Sequence, residues 1–370
     1  MKIAIMGAWN SDSGVSIHAE AIGREFLRMG HKLVVFSFIF ESFHGSALIK
    51  EDEPYVYRCF STCEAKPVFF NDSPFLKEDY DVFIVEDLGM LPKYELKKIF
   101  NLIRKKALVL TVIHDGKPSS DPLFYEFQWN GVICFDYRYM NFLREVYPQE
   151  ILKCIEFPFL PWNIGNKCEA REKLQLPKQK KIVFMFGLAA NSTYEIIPWL
   201  NKIKKEYDIH VVIVSNAMTK RNLLKLLFFK LKYFDLSKRI VVELRRKTLS
   251  IEDLYHYLSA ADVMIYDKHS APHVVVSSTI YQCLGSGCPI LARESNFTEM
   301  IQDFIFTYSN FESFREKIRW IFTCNNQQKD TLMRAKNHID HHSASHIASK
   351  FIEYFKYLSV NKNISSEAKQ

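Results

Sequence analysis

A histidine followed by an acid and a glycine closes one apolar run of the sequence, at residues 112–116. A histidine at the carboxyl end of a strand can donate to substrate hydroxyls or shuttle a proton, so we interpret His114 and Asp115 as candidate catalytic residues. The alternative is a histidine that only hydrogen-bonds to a neighbouring loop. Glu86 and Asp87 follow the preceding apolar run, where they either face the same site or cap the next helix.

The turn after the first apolar run, residues 7–16, places Ser13 and Gly14 directly before a stretch of helical periodicity. The first amides of a helix are free and lie at the positive end of its dipole, so we predict that they bind a donor phosphate or sugar hydroxyls. Ordinary capping of these amides by serine or aspartate is the alternative. The turn lacks the G-x-G-x-x-G spacing of a dinucleotide fingerprint, which argues against an NAD enzyme.

A third candidate is the segment 270–279, which ends in three hydroxyl side chains at the predicted start of a helix. Hydroxyls at this position, together with the helix amides, are suited to gripping a diphosphate. Capping of the helix would use the same residues. The three predicted ligands are Ser277, Ser278 and Thr279.

These candidate sites are positioned by short apolar runs that alternate with stretches of helical period, a pattern typical of doubly wound parallel sheets. In the first half the predicted strands are 32–38, 81–85, 108–113 and 131–134, and the predicted helices are 14–29 and 91–106. In the second half the predicted strands are 181–186, 210–214, 239–243, 263–266 and 289–291, and the predicted helices are 193–206, 218–234, 250–259, 277–284 and 345–358.

A segment with two prolines and a glycine, residues 157–166, separates the two alternating series and reads as a linker. The length of 370 residues also suits two domains better than one core. We therefore predict a first domain over 1–160, a second over 167–342, a closing helix over 343–358 and a flexible tail over 359–370.

The charge of +7 is unevenly distributed. Residues 1–166 hold 18 basic and 22 acidic side chains, a net charge of −4, whereas residues 167–370 hold 31 and 20, a net charge of +11. The second half is therefore expected to meet an anionic partner, such as a nucleotide diphosphate. Nucleic acid is not predicted, because the basic residues are not interleaved with aromatic ones as in a recognised module.

The eight cysteines are dispersed and form no Cys-x-x-Cys pair, which is the usage of a reducing compartment. No run is long and apolar enough for a membrane span, and we predict a cytoplasmic protein. The segment Lys220–Phe234 is rich in leucine and lysine. It is either a basic amphipathic helix resting peripherally on the inner membrane face or a helix packed in the core.

Four segments together resemble the retaining GT-B glycosyltransferases of the family-4 kind. The opening 1–38 is similar to that family's first βαβ unit, 111–116 to its strand-end His-Asp segment, 282–292 to its turn before a strand, and 343–354 to its closing helix. The resemblance covers nearly the whole chain. It implies two Rossmann-like α/β domains facing each other across a cleft, with a C-terminal helix crossing back to the first domain.

The resemblance implies metal-independent transfer of a sugar from a nucleotide donor, with retention of configuration. The acceptor, a glycan, a lipid-linked molecule or a small molecule, would bind the first domain and the donor the second. Gly14 would lie beside the donor phosphate and His114 near the reacting sugar. The nucleotide-diphosphate sugar is a substrate, so no cofactor and no metal site are predicted. The cluster His338, His341, His342 and His346 is not predicted to bind zinc, because Ser343 and Ser345 indicate a helix break within it.

The sequence departs from the family pattern in the donor domain. Val274 and Gln282 stand where the family has two glutamates, and residues 187–194 contain neither of the usual Arg and Lys. Gln282 can still hydrogen-bond a ribose. Arg245, Arg246, Lys247 or Lys268 are hypothesised to supply the missing positive charge. The same departures predict an alternative function, a non-catalytic subunit that binds a sugar nucleotide or a partner glycosyltransferase.

Overall fold

The computed structural model describes residues 1–40, 51–187, 195–215, 224, 227–228 and 239–367. Within them the chain divides into two compact units. The first unit comprises Met1–Pro158, His273–Ser278 and His342–Gln370, and the second comprises Phe159–Pro272 and Thr279–His341. Each unit contains one parallel sheet with helices beside it.

The first unit is built on a seven-stranded parallel sheet in the order β3-β2-β1-β4-β5-β6-β7. The central strands β1, β4 and β5 are apolar runs buried on both faces, as parallel sheets require. Its strands are β1 Lys2–Met6, β2 Lys32–Phe38, β3 Val56–Phe60, β4 Val82–Glu86, β5 Leu108–Val112, β6 Gly131–Cys134 and β7 Leu152–Cys154. Its helices before the linker are α1 Gly14–Arg28, α2 Ser73–Lys77, α3 Lys93–Lys106 and α4 Tyr137–Leu143, with short 3-10 turns at Pro122–Tyr125 and Gln149–Ile151.

The second unit is built on a six-stranded parallel sheet in the order β10-β9-β8-β11-β12-β13. Branched aliphatic and aromatic side chains from the sheet and from helices beside it form its core. The strands are β8 Lys181–Phe186, β9 Ile209–Val214, β10 Ile240–Arg245, β11 Val263–Tyr266, β12 Ile290–Arg293 and β13 Phe306–Tyr308. The helices that follow the linker are α5 Lys167–Lys173, α6 Ile197–Ile203, α7 Ile251–Ala260, α8 Ser278–Leu284, α9 Phe311–Phe322, α10 Asn326–His342 and α11 Ala344–Glu367.

The C-terminal helix α11 packs against the first unit, as predicted for the closing helix. The ring of Phe26 on α1 lies 6.3 Å from that of Phe351 and 6.0 Å from that of Phe355, centroid to centroid. Lys350 also binds Glu156 at 2.7 Å. The helix runs to Glu367 rather than ending at residue 358, so most of the segment expected to be a flexible tail is helical.

The predicted break between the C-terminal histidines is confirmed, because α10 ends at His342 and α11 begins at Ala344. Most of the segment Lys220–Phe234 lies outside the described residues. Among the helices that the structure describes, none has the length and hydrophobicity needed to cross a membrane.

Candidate active site

The carboxyl ends of β1 and β4 lie side by side at the point where the strand order of the first sheet reverses. In open α/β sheets this switch point is where ligands bind. Glu86 is the last residue of β4, and Gly7 directly follows β1. A Cβ on Gly7 would lie 2.8 Å from Cβ of Glu86, so the missing side chain makes room for this glutamate.

The carboxylate of Glu86 is fully buried and binds two histidines. Nδ1 of His18, from α1, lies 3.1 Å from Oε1 and 3.0 Å from Oε2. Nε2 of His114, just after β5, lies 2.7 Å from Oε2. An ionised carboxylate only accepts hydrogen bonds, so both ring nitrogens donate to it. The carboxylate thereby fixes the tautomer of both imidazoles.

Burial and mutual contact set the pKa values of this His18–Glu86–His114 cluster. Burial alone disfavours the charged form of Glu86, but the neighbouring His18 and His114 outweigh it and hold the pKa of Glu86 well below its usual value. Burial lowers the pKa of His18, and Glu86 only partly offsets that effect. The buried pair is therefore a carboxylate beside a neutral imidazole at neutral pH.

His18 is held by aromatic rings on several sides. Its ring centroid lies 5.1 Å from that of Phe135, 5.3 Å from Phe157 and 6.1 Å from Phe351. Its Nε2 atom is buried and has no hydrogen-bond partner among the described residues. His18 therefore serves as a rigid support that orients Glu86.

The second nitrogen of the His114 ring, Nδ1, makes no hydrogen bond within the described part of the chain. In a neutral imidazole whose Nε2 carries the proton that binds Glu86, Nδ1 carries the lone pair. The His114 side chain is 12% exposed, whereas the side chains of His18 and Glu86 are fully buried, so His114 is the member of the cluster that reaches the surface. An imidazole oriented by a carboxylate in this way can accept a proton from a hydroxyl.

Two more carboxylates approach each other beside His114. A Cβ on Gly89 would lie 3.2 Å from Oδ1 of Asp87 and 2.7 Å from Oδ2 of Asp115. Asp87 adopts a left-handed backbone conformation with φ of 57°. Burial raises the pKa of Asp87 to about 6, and the charge of Asp115 adds to this rise.

The three ligand atoms of the cluster lie within 4.8 Å of one another. Two imidazole nitrogens and a carboxylate oxygen are a donor set that divalent transition metals accept. The distances of 2.7 to 3.1 Å are also those of ordinary hydrogen bonds from two N–H donors to one carboxylate. Hydrogen bonding therefore accounts for the arrangement without a metal.

The start of α1 is capped by the serine that the sequence suggested. The side chain of Ser13 accepts a hydrogen bond from the amide of Ser16 at 3.2 Å. That amide is thus satisfied within the chain, as the capping alternative requires. Gly14 approaches Ser278, whose Oγ would lie 3.0 Å from a Cβ on the glycine. The structure therefore brings Ser13, Gly14 and Ser278 into one neighbourhood.

The segment His273–Ser278 belongs to the first unit and lies against the turn after β5. The amide of Val274 donates to the carbonyl of Gly116 at 3.1 Å, and Arg138 donates to the carbonyl of Val275 at 3.1 Å. Ser277 is buried and Thr279 half-buried at the start of α8, and Gln282 is buried further along that helix. Gln282 belongs to the second unit.

The predicted cation Arg245 ends β10, the edge strand of the second sheet, and its guanidinium is occupied. It donates to Glu243 at 2.6 Å, to the hydroxyl of Tyr257 at 3.1 Å and to the carbonyl of Leu174 at 2.9 Å. These contacts favour a structural role for Arg245. Arg246, the next residue, is exposed.

Lys268 occupies a more suitable place, two residues beyond β11 at the switch point of the second sheet. Its Nζ lies 4.0 Å from the ring centroid of Phe297 and makes no ion pair within the described residues. Burial lowers the pKa of Lys268. Directly before it, Asp267 binds Nε of Arg293 at 2.5 Å and the hydroxyl of Tyr308 at 2.8 Å.

No protein-family model matches the sequence. Solved structures similar to this chain include glycosyltransferases. A glycosyltransferase from Rickettsia africae ESF-5 is 17% identical, with a TM-score of 0.71 over 96% of this chain and 98% of that one. Sucrose-phosphate synthase from Thermosynechococcus elongatus is 14% identical, with a TM-score of 0.69 over 98% and 100%. The pneumococcal O-GlcNAc transferase GtfA, solved with UDP and GlcNAc, is 11% identical, with a TM-score of 0.64 over 97% and 99%.

The chain has the GT-B fold. Its two parallel α/β sheets and its closing helix are those expected from the resemblance. Of the predicted site residues, His114 and Asp115 lie at one strand end with Glu86 and Asp87, and Ser13, Gly14 and Ser278 lie together at the start of α1.

His18 is the one member of the buried cluster that sequence analysis did not propose as a site residue. The signal for it was present, because His18 falls on the same helical face as the apolar Val15, Ile22 and Phe26. A histidine on an apolar face requires a buried polar partner.

Proposed function

We propose that this protein transfers a sugar from a nucleotide-diphosphate donor to an acceptor hydroxyl. The observation that carries the proposal is the His114 imidazole, whose Nε2 is bound by buried Glu86 and whose Nδ1 is left to bind a substrate. In this proposal the first unit binds the acceptor. His114 holds the acceptor hydroxyl and takes its proton as the glycosidic bond forms.

The second unit would bind the donor. Lys268 is a cation without an acidic partner in the described residues, at the strand end where nucleotides bind in such sheets. It would stabilise charge on the departing diphosphate, together with hydroxyls and amides at the start of α8. The complex of GtfA with UDP and GlcNAc supports a uridine nucleotide as one donor to test. Retention of configuration and independence from metal are parts of the proposal that rest on the resemblance.

A set of exposed apolar residues supports a lipid-linked acceptor at a membrane surface. Leu224, Leu227 and Phe228 are helical and exposed, at 68%, 45% and 60%. Their spacing places them on one helical face, and the sequence around them is basic. We propose peripheral contact with anionic lipid through this segment. Failure to float with anionic liposomes at low salt would rule out this contact.

The direct test is a panel of UDP-, GDP-, ADP- and CDP-linked sugars screened by thermal shift, followed by donor hydrolysis and acceptor screening. One nucleotide should raise the melting temperature selectively, and its sugar should be released slowly without an acceptor. The His114→Asn variant should still be stabilised by that donor but should lose turnover. Equal turnover in the variant would remove His114 from the mechanism.

A non-catalytic subunit that binds a sugar nucleotide or a partner glycosyltransferase is the second candidate. Val274 and Gln282 replace the two family glutamates, Gln282 is buried, and the guanidinium of Arg245 is occupied by the second unit itself. Selective stabilisation by one donor without turnover on any acceptor would support this candidate over the enzyme.

A further inference from the structure

Two cysteines lie directly opposite each other on neighbouring strands. Cys134 is the last residue of β6 and Cys154 the last of β7, and the parallel register pairs the two residues. Paired residues of adjacent strands project to the same face of a sheet. Adjacent strands are about 4.8 Å apart, which falls within the range of Cα separations that a disulfide spans, about 4.4–6.8 Å.

The two paired cysteines differ in access to solvent. Cys154 is exposed on the edge strand, whereas Cys134 is buried. Interaction with the neighbouring Cys134 thiol lowers the pKa of Cys154, against burial and the nearby Glu156 and Asp136, while Lys350 adds to the lowering.

We propose that Cys134 and Cys154 form a site of reversible oxidation, with hydrogen peroxide as the class of oxidant. The thiolate of Cys154 attacks peroxide, forming a sulfenic acid and releasing hydroxide. The thiol of Cys134 then attacks this sulfur and water leaves, so that two thiols have lost two electrons and two protons to one disulfide. Exposed Cys154 is the residue that peroxide reaches, and Cys134 is the resolving thiol.

This arrangement separates the pair from the other cysteines. Cys63, Cys168 and Cys324 are exposed, but none is paired by strand register with a second cysteine in the described residues. Cys283 and Cys288 are both buried, so an oxidant has no direct access to either. Oxidation is therefore expected to be selective for Cys134 and Cys154.

The test is mass spectrometry of the full chain after treatment with hydrogen peroxide and alkylation of the remaining thiols. We expect an oxidised form lighter than the reduced chain by two hydrogen atoms before alkylation. Non-reducing digestion should give a linked pair of peptides containing Cys134 and Cys154. Dithiothreitol should restore both thiols. Complete alkylation of both residues, at a peroxide dose that oxidises other cysteines, would overturn the proposal.

Single variants test the order of the two steps. In Cys134→Ser, Cys154 should accumulate as a sulfenic acid that dimedone traps. In Cys154→Ser, Cys134 should stay reduced. Cys168→Ser, which removes an exposed cysteine of the second unit, should form the linked peptides as the unchanged chain does. Because Cys134 is buried and its variant could fold poorly, the peptide link in the unchanged chain is the deciding measurement.

Discussion

His18 and His114 meet edge to face, with ring centroids 5.3 Å apart and an angle of 79°, above the one carboxylate that both bind. One histidine comes from the first helix and the other from the end of the fifth strand, and Glu86 joins them at the switch point of the sheet. The cluster therefore links α1 to the ends of β4 and β5, at the edge of the sheet where open α/β proteins bind ligands.

The variant Glu86→Gln should lower turnover about 100-fold once a donor and an acceptor are known. An amide carries no negative charge and has an NH2 donor in place of one oxygen acceptor, so it accepts more weakly from the two imidazoles than the carboxylate does. The Nε2–H tautomer of His114 is then held less strongly, and a proton on Nδ1 of His114 would remove the proposed base. The measurement is the pH dependence of kcat. Glu126→Gln, at an exposed carboxyl of the first unit, is the matched control and should retain full turnover. An unchanged kcat in Glu86→Gln would show that the carboxylate is only structural.

Asp87→Asn should stabilise the protein at pH 7. The pKa of Asp87, about 6 in the folded chain, lies above its ordinary value of 3.8, so folding favours the protonated form. The contribution of Asp87 to the free energy of unfolding is therefore complete below pH 3.8, where the side chain is protonated in both states. This contribution is lost as the pH rises through about 6. Asparagine cannot ionise and tolerates the left-handed conformation.

Denaturant unfolding from pH 4 to pH 7.5 measures this effect. The variant should gain about 1–3 kcal/mol over the unchanged chain at the upper end and nothing at the lower end. Asp79→Asn, at an exposed aspartate of the same unit, should show no such change. A constant difference across this pH range would mean that Asp87 does not titrate as described.

The fold was largely predictable because buried parallel strands read as continuous apolar runs and helices as periodic ones. Two of the strands that the sequence did not predict show where this reasoning fails. Strand β13, Phe306–Tyr308, has three residues, and β7 includes exposed Lys153 and Cys154, so neither forms an apolar run. They are recognisable only from the neighbouring strand that pairs with them.

The site was predictable in part, for a similar reason. His114 and Glu86 were found because strand ends are visible in the sequence. The contact of Nε2 with Oε2 was not visible, because it depends on which strands are neighbours and on the space left by Gly7. The hydrogen bonds from Arg245 to Tyr257 and Leu174 were equally unpredictable, since the charge of a residue does not reveal its partners.

Lys268→Met and Arg245→Met should separate donor binding from stability. Lys268 has no acidic partner in the described residues, so its loss should weaken donor binding about tenfold with little change in melting temperature. Arg245 has three partners within the second unit, so its loss should lower the melting temperature and leave the donor Kd unchanged. Calorimetric titration and thermal unfolding give both quantities for each variant. A weaker donor Kd in Arg245→Met together with an unchanged Kd in Lys268→Met would instead assign the phosphate contact to Arg245.

Gly116→Ala should disrupt the packing of the segment His273–Ser278 on the first unit. A Cβ at this position would lie 1.6 Å from the carbonyl oxygen of Val274, so the backbone itself must move. We expect a loss of about 1–3 kcal/mol in the free energy of unfolding. Gly14→Ala is the matched comparison, because its Cβ would meet only the Ser278 side chain, at 3.0 Å from Oγ and 3.4 Å from Cβ, and the hydroxyl can rotate away. Denaturant titration of both variants should show a clearly larger loss for Gly116→Ala. Equal losses in the free energy of unfolding would mean that the segment His273–Ser278 moves aside as easily as a side chain. Its contact with Gly116 would then contribute little to the stability of the unit.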